Sequence, residues 1–440
     1  MTTQVSLRAL HSIKPNPSNA RTHSKRQIRQ LADLIQRFGW TYPILIDERG
    51  IIIAGHGRYQ AAKLLGLRDV PITVMSGLSD AERRAFAIAD NKVAANAGWD
   101  RKTLAAELGE LARLLPEFNL DIEITGFEAA EIDFLFEDFS DREADPADRL
   151  PPESKVTTSQ LGDLWLLGNH RLKCGDALSE ADVAALMGDA RAAMLISDPP
   201  YNVRIDSVVG RGKRKHREFV AASGEMSRVQ FMDFLTKAFS LAAQYSRDSA
   251  IHHIFIDWRH ALELLTVGEM IYSELLNLCV WNKSSPGQGS FYRSQHELVF
   301  VFKNGTAPHR NNIELGKNGR NRSNVWTYPR VNTFKTGGLD DLSAHPTIKP
   351  VAMIADAMRD CSRRNDIVLD PFIGSGTTIL AAEKVGRRGY GLELDRLYVD
   401  VAVRRWETFT GRDAILQETG ETFSEVTAKR AETLADEVRR

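Results

Sequence analysis

The stretch SDPPYN, Ser197 to Asn202, directly follows the apolar run Ala192 to Ile196. Its residue types suit one kind of chemistry. Ionised Asp198 only accepts hydrogen bonds, while Pro199 and Pro200 lack a backbone N–H, fix φ and leave rigid carbonyls free to accept. Tyr201 adds a flat ring. An amino group on a planar ring would donate to Asp198 and to the Pro199 carbonyl while Tyr201 stacks on that ring. Those bonds localise the nitrogen lone pair and turn it toward an electrophile, with no metal and no covalent intermediate. A proline turn capping a strand is the plain alternative, and the flanking acid and aromatic count against it.

A second chemical stretch is DPFIGSGTT, Asp370 to Thr378, which reads as the end of a strand entering a helix. Gly374 and Gly376 would let the backbone pass close under a ligand. Glu393 stands 19 residues beyond Gly374 at the end of the next strand, where an acid can take two ribose hydroxyls. That pattern implies a nucleoside-bearing cofactor. A dinucleotide fingerprint needs a small residue at 379, and Ile379 there disfavours NAD.

These stretches need an alternating α/β framework to hold them. The pattern predicts strands at HRLKCGD, AAMLISD, AIHHIFID, LLNLCVWNK, HELVFVFKN, DIVLDPF and RGYGLELD. Helices are predicted at EADVAALMG, RVQFMDFLTKAFSLAAQYS, PVAMIADAMRDCS and GTTILAAEKVG. The result is a doubly wound sheet with an irregular insertion over 305–344, ligands binding beyond the carboxyl ends of the strands. Asp370, Glu393 and Asp176 would line a cofactor half, and Asp198 would open the substrate half.

Charge is unevenly spread although the formal net charge is −1. The first 32 residues carry six basic side chains and no acid, and residues 128–153 have ten acids against Arg142 and Arg149. Pro and alternating charge make 141–157 an acidic linker between a domain at 1–140 and another at 158–412, with a charged tail at 413–440. Residues 204–217 and 303–335 are basic, at +5 and +6. Phosphate and base contact would fall on Arg211, Lys213, Arg214 and Lys215 in a mobile loop, and on Arg310, Arg320, Arg322 and Arg330 in the insertion, where target recognition is expected. Cys174, Cys279 and Cys361 lack zinc or disulfide spacing and read as ordinary buried thiols, and no metal is expected. No run is apolar enough to span a bilayer and the start lacks the apolar core of a signal peptide, which points to a cytoplasmic, nucleoid-associated protein with no membrane partner.

DPPY together with DPFIGSGTT resembles the S-adenosylmethionine-dependent DNA amino-methyltransferases, and the order, catalytic motif before cofactor motif, resembles their beta group. The resemblance runs from Leu161 to Gly411 and implies a Rossmann-like sheet with permuted motif order. It further implies that Asp198, Pro199, Pro200 and Tyr201 are catalytic on a base extruded from double-stranded DNA. For the cofactor it implies Asp176 at the adenine and Glu393 at the ribose. Phe372 would pack on the cofactor, Asp370, Gly374, Gly376 and Thr377 would form its turn, and His345, Thr347 and Lys349 of HPTIKP would help hold its methionine moiety. Asp at the first catalytic position is the usual adenine-N6 form, Ser being more typical of cytosine-N4, which stays open as an alternative. A glutamine-methylating relative would more often carry Asn there.

The first half is different. IKPNPSNAR with PILIDERGIIIAGHGRYQAAKLLG and VPITVM resembles the ParB N-terminal or sulfiredoxin-like fold over Ser6 to about Val74, a small α/β module completed by further helices. Gly55, His56, Gly57 and Arg58 lie where members of that fold bind nucleotide phosphate, but GHGRYQAA replaces the paired-arginine box of the partition proteins. That departure counts against nucleotide turnover, and a bound nucleotide stays a candidate partner here. Two classes of function remain: a site-specific DNA methyltransferase with an accessory DNA- or nucleotide-binding module, and a binding regulator whose methyltransferase half is inactive.

Overall fold

A computed structural model describes residues 4–439 except 119, 129–130, 133–134, 136–145, 149, 152–156, 203–224, 284–291, 315–319, 330 and 332–347. The chain divides into two compact units, Met1–Glu128 and Ala129–Arg440.

In the first unit, strands β1 (Val5–Ala9), β2 (Ile44–Ile46), β3 (Ile52–Ala54) and β4 (Asp69–Val74) form one sheet in the order β1-β4-β2-β3. Ile44, Ile46, Ile52, Val70 and Ile72 are its core, closed by Tyr59 and Ala62 of a helix. The helices are α1 (Lys25–Phe38), α2 (His56–Leu64), α3 (Asp80–Asn96) and α4 (Arg101–Leu114). Ser24 and Asp100 cap α1 and α4, while Ser79 and Glu82 make a reciprocal capping box on α3.

The second unit is built on one ten-stranded sheet. Its strands are β5 (Leu164–Leu167), β6 (His170–Cys174), β7 (Ala192–Ser197), β8 (Ser246–Ile256), β9 (Glu274–Lys283), β10 (His296–Lys303), β11 (Val325–Tyr328), β12 (Ile367–Asp370), β13 (Arg388–Glu393) and β14 (Ile415–Leu416). They run in the order β11-β9-β10-β8-β7-β12-β13-β6-β5-β14. The centre, β8 through β6, is parallel; β10 and β5 join it antiparallel, so the sheet is mixed.

Helices cover both faces because the central strands are apolar on both. Met194 and Ile196 of β7 point into one core and Leu195 into the other; Val368 of β12 opposes Ile367 and Leu369 in the same way. One face carries α8 (Val351–Cys361), α9 (Thr377–Val385) and α10 (Arg396–Thr410), and the other carries α5 (Glu180–Met187), α6 (Arg228–Gln244) and α7 (Ala261–Ile271). Each fully buried Leu, Ile or Phe here contributes about 1.5–3 kcal/mol.

Three expectations change. The residues from 413 on are no tail: β14 pairs with β5, and α11 (Phe423–Arg439) buries Phe423 and Val426 in the core, with Phe423 edge-on to Trp165 at 5.1 Å. Arg430 pairs with Asp163 at 2.5 Å. The stretch read as a linker contains a packed turn, Pro146–Asp148, where Ala147 is buried, its carbonyl accepts from Arg405 at 2.8 Å, and Asp148 accepts from the Val351 amide at 3.0 Å. The insertion, read as irregular, contains β11, parallel to β9.

Candidate active site

The sheet order sets four acids in a row. Asp198 follows β7, Asp370 ends β12, Glu393 ends β13 and Asp176 follows β6, and these strands are adjacent in that sequence. All lie at the carboxyl ends of parallel strands, where loops leave the sheet and ligands have access.

Asp198 is embedded among charges. Its Oδ1 accepts from the Tyr201 hydroxyl and its Oδ2 from the Lys349 ammonium. Lys349 Nζ is also 3.1 Å from Glu297 Oε2, which lies 3.2 Å from the Tyr201 hydroxyl oxygen. Glu297 Oε1 takes Lys283 Nζ at 2.5 Å. The Lys349 ammonium further lies 5.1 Å from the Phe255 ring centre and 5.7 Å from those of Trp281 and Tyr201. Strand pairing explains the grouping: Glu297 of β10 stands opposite Trp281 of β9, and Lys283 is two residues along on the same face. Asn202, at φ 52°, makes two side-chain bonds to the Met226 backbone, at 2.8 and 3.1 Å.

Burial raises Asp198 above the usual carboxylate range, with Glu297 adding to the rise and Lys349 and Tyr201 working against it. Burial also opposes the charge on Glu297, but Lys349 and Lys283 outweigh it and hold that carboxyl at about 2. Glu297 therefore stays ionised at neutral pH.

The second part is the turn between β12 and α9. Both Asp370 oxygens are used within it, by the Phe372 amide at 3.1 Å and the Thr378 hydroxyl at 2.6 Å. Glu393 accepts from the amides of Gly374 at 2.9 Å and Asp395 at 2.8 Å. Burial pushes both carboxyls up to about 7. Phe372 rests against Phe234, with ring centres 5.6 Å apart. Asp176 accepts from the Leu178 amide at 2.9 Å and stays half-buried.

The two glycines of the turn differ. A Cβ on Gly374, at φ 53°, would have nothing within 4 Å, which leaves an open side next to Glu393. On Gly376, at φ 84°, it would sit 2.7 Å from the Ala402 Cβ. Helix packing against α10 and the backbone angle are thus enough to require glycine at 376. Thr377 is buried and its hydroxyl accepts from Arg405 at 3.3 Å, on the side of α10.

Other expected positions are reassigned by their partners. Arg320 is 5% exposed and donates to Asp360 at 2.8 Å, and Arg322 donates to Asp360 at 3.1 Å and to the Tyr328 hydroxyl at 2.9 Å. These arginines fasten the insertion to α8, so they are not the surface cations that DNA phosphates need. Lys349 lies on the Asp198 carboxylate, not among the residues of the β12 turn. Arg310 is half-buried. Arg211, Lys213, Arg214, Lys215, Arg330, His345 and Thr347 lie outside the described residues. Glu297 and Lys283 were missed; the signal was an acid directly before the apolar run of HELVFVFK and the lysine ending WNK.

In the first unit, Asn19, Arg21, His23, Gln27, His56, Arg58 and Asp90 border a pocket of about 220 Å³. Gly55, at φ 103°, makes the turn into α2, whereas a Cβ on Gly57 would meet Leu31 of α1 at 2.8 Å. His56 Nε2 accepts from the Asn16 amide at 3.2 Å, and Arg58 donates to the Tyr42 and Pro43 carbonyls at 2.8 and 2.9 Å. Those atoms of His56 and Arg58 hold the turn, and burial lowers the pKa of both groups.

The three cysteines are free and buried, and burial pushes Cys174 and Cys279 up to about 12. Among the described residues no group of His, Cys, Asp and Glu could hold a metal ion, and no helix is long and apolar enough to cross a membrane.

Comparison with known proteins follows the same division. The ParB N-terminal domain family matches residues 2–92, a ParB-methyltransferase helix-turn-helix domain matches 102–161, and the DNA methylase family matches 192–404. The ParB-like nuclease domain-containing protein YnaK of Escherichia coli is 52% identical over 77 residues, 18% of this chain and 88% of that protein. The type II methyltransferase M2.MboI of Moraxella bovis is 26% identical over 232 residues, covering 49% of this chain and 81% of that one. The crystal structure of an M1.HpyAVI–SAM complex aligns with a TM-score of 0.38 at 20% identity, over 53% of this chain and 98% of the other. The chain belongs to the ParB N-terminal domain family in its first part and, in its second, to the S-adenosylmethionine-dependent DNA methyltransferases of the N6/N4 type.

Proposed function

We propose that the second unit methylates the exocyclic N6 of adenine in double-stranded DNA at a specific sequence. The observation that carries this reading is Asp198, a carboxylate held beside the Tyr201 ring two strands from Glu393. Asp198 and the Pro199 carbonyl accept from the amine, Tyr201 stacks on the base, and the nitrogen lone pair turns outward. Extruding the base costs a few kcal/mol, which stacking partly offsets.

The residues at the β12 turn fit the cofactor: Gly374 has an open side, and Glu393 beside it suits a ribose diol. Glu393 would hold the ribose, Asp176 the adenine, and Phe372 would pack on the bound molecule, with Asp370 fixing the turn. When bound, S-adenosylmethionine supplies an electrophilic methyl group. As the nitrogen takes the methyl it becomes acidic, and Asp198 is placed to receive the proton.

Sequencing with modification detection, on DNA from cells expressing this chain, tests the reading and returns base and recognition sequence together. N6-methyladenine at a defined motif supports it. Methylation at cytosine N4 would keep the mechanism and change the base, and no methylation would favour a binding regulator. The M2.MboI likeness sets the enzyme beside the type II modification systems. For the first unit the proposal is DNA binding with a nucleotide in the pocket bordered by Arg21, His23 and Arg58, tested by nucleoside triphosphate titration of the full chain with calorimetry.

A further inference from the structure

Lys349 presents a problem in electrostatics. An ammonium with 6% of its side chain exposed, surrounded by Phe255, Trp281 and Tyr201, is costly unless each of its three hydrogens has an acceptor. Each does: Asp198 Oδ2, Glu297 Oε2 at 3.1 Å and the Tyr201 oxygen at 3.4 Å. Glu297 in turn is shared with Lys283 at 2.5 Å. The cluster alternates in sign, Asp198, Lys349, Glu297, Lys283, and its two carboxylates and two ammoniums cancel. Asp198 in turn is one of the charges that raise Asp370 on the neighbouring strand.

The two ends of this chain differ. Glu297 faces two ammoniums, whereas Asp198 faces only Lys349 among the described cations, and Lys349 divides its charge between both acids. A carboxylate paired with a whole positive charge is a weak acceptor; one buried with none is protonated near neutral pH, accepts only as a neutral carbonyl and can take no proton. Methyl transfer needs the state between, ionised but still basic.

We infer that Lys349 and Glu297 are a positioning pair that tunes Asp198: Lys349 keeps the carboxylate ionised and aimed, and Glu297 withholds part of the lysine's charge so that Asp198 remains a good acceptor for the amine. The inference rests on the methyl-transfer reading of Asp198. It assigns Lys349 to the substrate half of the cleft, and it gives Glu297 a part in a reaction whose atoms it does not touch.

The two partners must then shift the pH profile in opposite directions. Methyl transfer from labelled S-adenosylmethionine to unmethylated genomic DNA would be followed in single turnover from pH 5 to 9, using the full chain. Lys349→Met should slow the step about 100-fold or more and move the acid limb up by about one pH unit, because Asp198 then ionises without its partner. Glu297→Gln should move the limb down by about one unit and slow the plateau about tenfold, because Lys349 then acts on Asp198 alone. The double variant should bring the limb back from the Lys349→Met position, since the repulsion from Glu297 is gone. S-adenosylmethionine affinity should stay within a few fold in all three, which a role for Lys349 at the cofactor would not allow. Should Lys349→Met fail to fold, Lys349→Gln and Glu297→Gln carry the test, folding being checked by calorimetry.

Limbs that do not move, or move together, overturn the inference, as does a large loss of cofactor affinity. Asp198→Ala is the separate control: if it keeps near-normal turnover, the methyl-transfer reading itself fails, whatever the other variants do.

Discussion

Asp198 and Glu393 occupy equivalent places, at the carboxyl ends of parallel strands two positions apart in one sheet. Their surroundings differ in kind. Asp198 has an ammonium and a phenol on its oxygens, while the hydrogen-bond partners of the Glu393 carboxylate among the described residues are the amides of Gly374 and Asp395. Amides stabilise a carboxylate with partial charges only, and Asp370 and Asp395 oppose it, so burial dominates and holds Glu393 at about 7. Strand-end position selects where an acid works. The neighbours supplied by other elements select what it does.

The comparison breaks most sharply under substitution at Asp198. Asp198→Ala should lower methyl transfer at least about 1000-fold, roughly 4 kcal/mol of barrier, with S-adenosylmethionine affinity within a few fold. Labelled-methyl incorporation and calorimetry read the two quantities. Near-normal incorporation would remove Asp198 from the chemistry.

Gly376→Val should act on the fold. The added Cβ meets Ala402 at 2.7 Å on a backbone at φ 84°, and strain plus overpacking should cost about 3 kcal/mol or more. Differential scanning calorimetry would show a large fall in Tm, and an unchanged Tm would mean that α10 can move aside.

Glu393→Gln should weaken S-adenosylmethionine binding by about 1–3 kcal/mol while the plateau rate at saturating cofactor changes less. Unaltered affinity would place the ribose elsewhere. The wild-type affinity should also depend on pH. Glu393 is protonated below about 7, and if binding requires its ionised form, affinity falls by up to about tenfold per unit as the pH drops beneath that value. The substitution should flatten the dependence.

The same group gives a smaller stability effect. Its folded pKa is raised above the unfolded one, so the folded state binds more protons between about 4.5 and 7, and stability falls as pH rises through that window. The cofactor-free Tm should therefore drop between pH 5 and 8 by more in the wild type than in Glu393→Gln. Gly374→Ala should be mildest on the fold, at about 1 kcal/mol for the φ of 53°, because its Cβ enters open space. Any added loss of cofactor affinity then reports on the open side.

Much of the central sheet was legible because its signals are local. AAMLISD and DIVLDPF are apolar on both faces and become β7 and β12, which a parallel sheet buried between helix layers requires. Among the elements that were not read, β11, α10 and α11 carry mixed or charged sequences whose apolar residues find cover only in distant partners; Phe423 packs on Trp165, for instance. The basic count over 303–335 misled in the same way. Arg320 and Arg322 are neutralised by Asp360, about 40 residues further along, which no window over the insertion includes.

The sequence by itself determined the strand-end chemistry, an acid with two prolines and an aromatic at one turn and a two-glycine turn with a later acid at another, because each motif acts through its own backbone and immediate neighbours. Only the tertiary structure decided which charges share a site. Lys349, Glu297 and Lys283 come from three separate segments, and they meet at Asp198 because β9 and β10 pair in one register and the residue before Pro350 leads into α8. Whether Asp198 is ionised depends on those contacts, since the interaction of buried charges falls off with distance in space and not with separation along the chain.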